Sequence, residues 1–129
     1  MNMTIVSEEN RSQFLNKHFK DPIFDLSVFI TAAHLIDDYT GGYWDFVETE
    51  TAPFLKLPTE ETLKVSNAFT GEEVEVDATL AGMIVTFFAL QPDVDNGKKE
   101  VKLSNNLKDA ILTYCSEHKR MDVWMNIMD

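Results

Sequence analysis

The sequence offers few groups of residues that could do chemistry. His34, Asp37 and Asp38 stand at spacings of three and four. On a helix they would share one face, where an imidazole beside carboxylates can relay a proton or help hold a metal. They also sit just before Gly41, so the plainer reading is a solvated acidic helix tip. Asp93-Val94-Asp95-Asn96-Gly97 opens like a calcium-binding loop. It then departs, because Gly97 falls at the fifth position, where a ligand is needed, and Ser104 at the twelfth, where a bidentate glutamate is needed. Gly41-Gly42 lacks the third glycine and the lysine of a phosphate loop and precedes a strand rather than a helix. Neither His18 nor His118 belongs to a His-Glu-x-x-His pair, and no Gly-x-Ser-x-Gly elbow occurs. Cys115 is the one cysteine. It excludes an internal disulfide and a Cys-rich zinc site, and reads as a small buried apolar residue. These residues select no reaction. The expectation is no catalytic residue, no metal and no cofactor.

Residues 39–46 offer binding instead. Tyr39, Tyr43, Trp44 and Phe46 crowd around the glycine pair. On a strand, Trp44 and Phe46 would face the core, leaving Tyr43 and Asp45 on the outer side, where tyrosine favours contact surfaces. Glycines supply positive φ and let another backbone approach closely. The candidate partner-binding residues are therefore Asp37, Asp38, Tyr39, Gly41, Gly42, Tyr43 and Asp45, with the terminal Asp129 as a further candidate.

The elements that must position them follow from periodicity. Ser7, with Glu8 and Glu9 behind it, suits a helix start. A short helix to about Phe19 would set Phe14, Leu15, His18 and Phe19 on one side. Asp21-Pro22 starts a second helix ending near Asp38, with Ile23, Leu26, Ile30, Ala33 and Ile36 as its apolar face. Runs at 43–48, 54–57 and 62–66 read as three strands of an antiparallel meander. Phe69-Thr70-Gly71-Glu72-Glu73 is a turn, leading to a short extended piece at 74–76. Asp77 caps a helix at 78–90 that is apolar on most sides and therefore buried. Gly82 within it marks a close approach of another element, and Gln91-Pro92 ends it. Ser104 or Asn105 starts a helix to His118 with Leu107, Ile111, Leu112 and Cys115 inward. A last helical turn carries Val123, Trp124 and Ile127. The class is α+β, one domain over 1–129: N-terminal helices, a three-stranded meander, then C-terminal helices packed on the sheet.

Composition bounds the partners. The chain has 129 residues and a formal net charge of −11. Residues 21–55 carry seven acids and residues 65–97 six, with no lysine or arginine in either stretch. Such a surface repels phosphate backbones and anionic membranes, so neither direct nucleic-acid binding nor membrane contact is expected. Residues 1–10 have neither a basic start nor an apolar run, so no secretory leader is expected and the cytoplasm is the default.

The residues Asp38-Tyr39-Thr40-Gly41-Gly42-Tyr43-Trp44-Asp45-Phe46 resemble the Tyr-Ser-Gly-Gly-Tyr-Trp-x-Phe segment of ArdB/KlcA-type antirestriction proteins. Ala52-Pro53-Phe54 is similar to a rearranged form of a short stretch of that family. The helix from Asp77-Ala78 through Ala81-Gly82-Met83-Ile84-Val85-Thr86 to Phe88-Ala89-Leu90 is similar to the Ala-Asp-Ala-Ala-Gly-Ile-Val-Ala-Thr-Leu-Phe-Ala-Leu helix of the family. Glu117-His118 and the closing Ile127-Met128-Asp129 match its last motif. The resemblance runs in order over nearly the whole chain, and departs in the short middle region and in the loop at 92–102. It implies an α+β fold with no cofactor, carried on plasmids, phages or integrated elements. It also implies relief of host type I restriction through the restriction system itself or an accessory host protein. It does not imply a known catalytic site. Two further readings follow from the residues. One is an acidic DNA mimic that occupies the basic groove of a DNA-binding enzyme. The other is an enzyme, which no motif supports. Oligomeric state is not legible.

Overall fold

In the computed structural model, which describes residues 2–67 and 69–128, a short edge strand β1 (Thr4–Ile5) and a 3-10 turn lead into helix α1 (Arg11–Phe19). Helix α1 buries Phe14, Leu15 and Phe19, and Lys20 closes it in the left-handed conformation. The Asp21 carboxylate accepts the Ile23 N–H at 3.1 Å in the turn before helix α2 (Phe24–Leu35).

Helix α2 lies on the core by a different face from the one its spacing predicts. Phe24, Val28, Ala32 and Leu35 are buried, whereas Ile23, Leu26, Ile30 and Ala33 face outward. The helix is apolar on nearly every side, so its sequence does not specify which side is inner. Phe24 decides it by stacking on Phe19 at 4.2 Å between ring centres. The helix also stops earlier than expected. Ile36 is extended and buried, bridges Val65, and the Asp37 N–H donates to the Lys64 carbonyl at 3.0 Å.

The three-stranded antiparallel sheet is present with a different third member. Strand β2 (Asp45–Glu48) lies between β1 and β3 (Phe54–Lys56), with Thr4 opposite Glu48 and Phe46 opposite Leu55. The run placed third in the meander, β4 (Leu63–Ser66), pairs instead with β5 (Glu73–Val76) in a separate hairpin. The extended piece at 74–76 is thus a full partner strand. Its alternation, with Val74 and Val76 buried and the glutamates exposed, suits one covered face.

Helix α3 (Ala78–Asp95) is the centre of the molecule and packs against α2, β3 and helix α4 (Val101–Glu117). Asp77 caps it, accepting the Leu80 N–H at 2.8 Å. Every residue from 78 to 87 is buried, as its apolar circumference requires. Gln91-Pro92 does not end it. Pro92 sits in the final turn, where it cannot donate to the Phe88 carbonyl, and the helix runs only three residues further. Helix α4 starts before Ser104, which is itself buried with its hydroxyl donating to Gln91 Oε1 at 2.9 Å. Leu107, Ile111 and Cys115 face inward as expected, but Leu112 is 37% exposed. Helix α5 (Met121–Val123) continues as a wider turn, Trp124–Met128, and anchors through Val123 and Ile127.

A buried polar contact joins the sheet and helix layers. The Leu55 N–H points away from β2 and donates to the fully buried Thr86 hydroxyl at 3.1 Å. Replacing Thr86 by valine keeps the shape but strands that N–H. The expected cost is about 1–3 kcal/mol in denaturant unfolding, whereas Thr86→Ser should stay closer to wild type.

Candidate functional site

The segment between α2 and β2 is fastened at three points. At its start, the Asp37 N–H is bonded to β4. At its end, Trp44 is 2% exposed and packs on Phe29 at 5.8 Å. Across the middle, the Trp44 indole N–H donates to the Tyr39 hydroxyl at 2.9 Å, with the rings edge to face at 5.9 Å. Asp38 adopts a left-handed φ of 59°, and Gly41 and Gly42 have φ of 99° and 130°. The two glycines are therefore needed for conformation. A side chain at either would meet nothing within 4 Å, so the backbone there lies open to an approaching molecule.

This arrangement brings most of the expected binding residues to one exposed turn. Asp37, Asp38, Gly41, Gly42 and Tyr43 are exposed, and Tyr39 and Asp45 are half-buried. Asp45 lies on β2 opposite Lys56, at the inner end of the turn. Asp129 falls outside the described residues. Trp44 and Phe46 face the core, as their alternation predicts.

Sequence reasoning missed Arg11. Its guanidinium lies 4.4 Å from the Tyr43 ring centre and 4.8 Å from that of Phe46, and it donates to the Tyr43 hydroxyl. Its Nε is buried without a partner among the described residues. The two ring faces hold the cation, and Tyr43 is thereby oriented from below. Only tertiary contact reveals this pairing, because 32 positions separate the two residues.

The other chemical groupings stay apart. His34, Asp37 and Asp38 are all exposed, and no metal-binding cluster occurs among the described residues. Cys115 is buried, and burial pushes its thiol pKa up, opposite to what a reactive thiolate needs. No helix among the described residues is long and apolar enough to cross a membrane.

The sequence also gave no sign of the link between α1 and β2. The His18 ring donates from Nε2 to Glu48 Oε2 at 2.6 Å, with Lys17 at 3.6 Å. The His18 hydrogen bond holds the Glu48 carboxyl below the usual glutamate range. A depressed carboxylate adds stability that is full above its unfolded pKa and is lost as pH falls through the folded one. Glu48→Gln should therefore lower the melting temperature modestly near neutrality and converge on wild type in acid, which flattens the acid limb of the melting-temperature profile. An acid limb as steep as wild type would refute the coupling. Glu48 is partly exposed, so the effect is modest.

Comparison with known proteins fits this fold. The solved structure of the KlcA and ArdB proteins is described as showing a novel fold and antirestriction activity against type I DNA restriction systems in vivo but not in vitro. It aligns with this chain at TM-score 0.69 and 21% identity, covering 82% of each. At that identity the likeness is one of fold. No curated protein sequence matches the chain. A family model described as antirestriction protein matches residues 37–129, from the first acid of the fastened turn onward. With the greater part of its length matched, the chain belongs to the antirestriction protein family.

Proposed function

We propose that this protein relieves type I restriction of incoming mobile-element DNA by binding a protein partner, without catalysis and without a cofactor. The observation that carries the reading is the turn at 37–45, fixed from within by Trp44 and Tyr39 and open outward at Gly41, Gly42 and Tyr43. A turn held in one conformation loses little entropy on binding, which is what a protein-contact surface needs. The whole chain, 1–129, would act as one antirestriction domain in the cytoplasm, where restriction meets incoming DNA. The family and the fold likeness support the activity. Activity in vivo but not in vitro, described for KlcA and ArdB, is what a protein acting through another cell component gives. The partner is therefore the host type I restriction system in its cellular setting or an accessory host protein. The net charge of −11 disfavours direct nucleic-acid or membrane contact.

That charge also favours a second reading, a DNA mimic. A duplex presents one charge per ~1.7 Å of axis, so mimicry needs a dense array of free carboxylates. Here Asp21 and Asp93 are paired with the buried Lys99, and Glu48 with His18 and Lys17, which thins any array. Binding through the turn is the better account.

The test has two arms: phage plating on a type I restricting host with and without the protein, and nuclease inhibition by pure protein. The expected result is protection in cells and none in the tube. The triple variant Asp37→Asn, Asp38→Asn, Tyr43→Ala should lose about tenfold or more of the protection. Inhibition in the tube that weakens steeply with salt would replace the reading with mimicry. No protection in cells, with stable expression confirmed, would refute it.

A further inference from the structure

Helix α2 turns an apolar face to solvent. Ile23, Leu26 and Ile30 are 61%, 51% and 64% exposed. Their spacings of three and four set them on one side of the helix, opposite Phe24, Val28, Ala32 and Leu35. Exposed Ala33 extends the row. A single exposed isoleucine is ordinary, but a continuous row along one helix marks a surface that something covers.

The row does not end at the helix edge. Beside it runs a groove of about 290 Å³ whose walls include Pro22 in the turn before α2, Asp25 and Phe29 of α2, and Gly42, Tyr43 and Trp44 of the fastened turn. Tyr43, 50% exposed, belongs to the wall facing α2. The row and the groove occupy neighbouring sides of α2, because the groove residues Asp25 and Phe29 directly precede Leu26 and Ile30 of the row.

Charge selects the occupant. Residues 21–55 carry seven acids and no lysine or arginine. Asp25 lines the groove, and Asp37 and Asp38 follow the C-terminal end of α2. None of the three has an ion-pair partner among the described residues. Arg11, the one cation in that wall, lies against Tyr43 and Phe46. A second copy of the chain would bring the same acids against these and be repelled, as would an anionic membrane. A partner whose apolar side chains are rimmed by lysines or arginines matches both features.

We infer that the outer face of α2, with the groove it shares with Tyr43, docks an amphipathic helix of a partner protein that carries a basic rim. Apolar anchors of that helix would lie over Leu26 and Ile30, and its cations would meet Asp25, Asp37 and Asp38. The inference rests on the protein-binding reading and gives the partner its chemistry. It also assigns part of the contact to residues that precede the family-matched span, which begins at residue 37.

Two synthetic helical peptides test it: one with a leucine stripe and a lysine rim, the other with the same stripe and a glutamate rim. Each is titrated into isotope-labelled full-length protein, and amide shifts are followed by NMR. The lysine-rimmed peptide should shift residues 23–33 and 42–44 and bind about tenfold or more tighter than its glutamate counterpart. Leu26→Ser with Ile30→Ser should weaken it about tenfold while leaving the melting temperature unchanged, because both side chains are exposed. Shifts centred elsewhere, or undiminished binding to the double variant, would overturn the inference. So would a dimer of the protein alone that the double variant dissociates, because the occupant would then be a second copy. Phage plating separates this from the functional reading. Protection that survives the double variant sinks the docking face alone. A wild type that does not protect, yet binds the lysine-rimmed peptide on α2, sinks only the antirestriction reading.

Discussion

Gly82→Ala should lower stability by about 3 kcal/mol, on the order of 10 °C in melting temperature for a chain of this size. A β-carbon at position 82 would stand 2.3 Å from the Leu55 carbonyl oxygen, 2.6 Å from Lys56 Cβ and 2.9 Å from Lys56 Cα. Two of those atoms are backbone, so no side-chain rotation relieves the clash. Strand β3 must move instead, and it is pinned on both sides. Phe46 pairs with Leu55 in the sheet, and the Leu55 N–H is bonded to Thr86, one turn along the same helix as Gly82. Against this stands the roughly 1 kcal/mol that alanine gains over glycine in a helix interior. Overpacking against backbone outweighs it. Gly82→Val, with two more carbons directed at β3, should not fold. The measurement is chemical and thermal unfolding. An alanine variant within about 1 kcal/mol of wild type would mean that α3 and β3 can slide apart freely, and the argument would fail.

Trp44→Ala should be the second large effect, about 3–5 kcal/mol. The side chain is 2% exposed, touches Phe29, and holds Tyr39 through its indole N–H. Its removal opens a cavity under the turn and releases the middle fastening. Trp44→Phe separates these two losses. It keeps most of the packing and removes only the hydrogen bond to the half-exposed Tyr39, at a cost of about 1 kcal/mol. Under the proposed function, both variants should lose protection of phage DNA beyond what their stability explains, because both free the turn that carries Gly41, Gly42 and Tyr43. Trp44→Phe is the more informative, since it stays folded. Full protection by Trp44→Phe would show that the conformation of the turn does not matter to activity.

The α+β class, the order of the helices and of the strand runs between 45 and 66, the Asp77 cap, the inward Trp44 and Phe46 and the close approach at Gly82 were all legible in the sequence. Each has a local signature: a period of two or of about 3.6, a carboxylate before an apolar run, a lone glycine in a buried helix. That residues 37–45 form one largely exposed turn was legible for the same reason, because they are a contiguous segment with its own turn chemistry.

What the sequence left open was decided by contacts between distant residues. Both α2 faces are apolar, so composition could not say which is buried; Phe19, reached through the turn at Lys20, made the choice. The strand run at 63–66 was readable as a strand, but its partner was not. A three-residue β3 and a two-residue β1 have too little pattern to announce their pairing. Arg11 beneath Tyr43 and His18 on Glu48 were likewise invisible, because they join residues about thirty positions apart. Periodicity along a chain encodes how each segment divides itself between water and core. Which segments share that core depends on how the layers close, and only the folded chain sets that geometry.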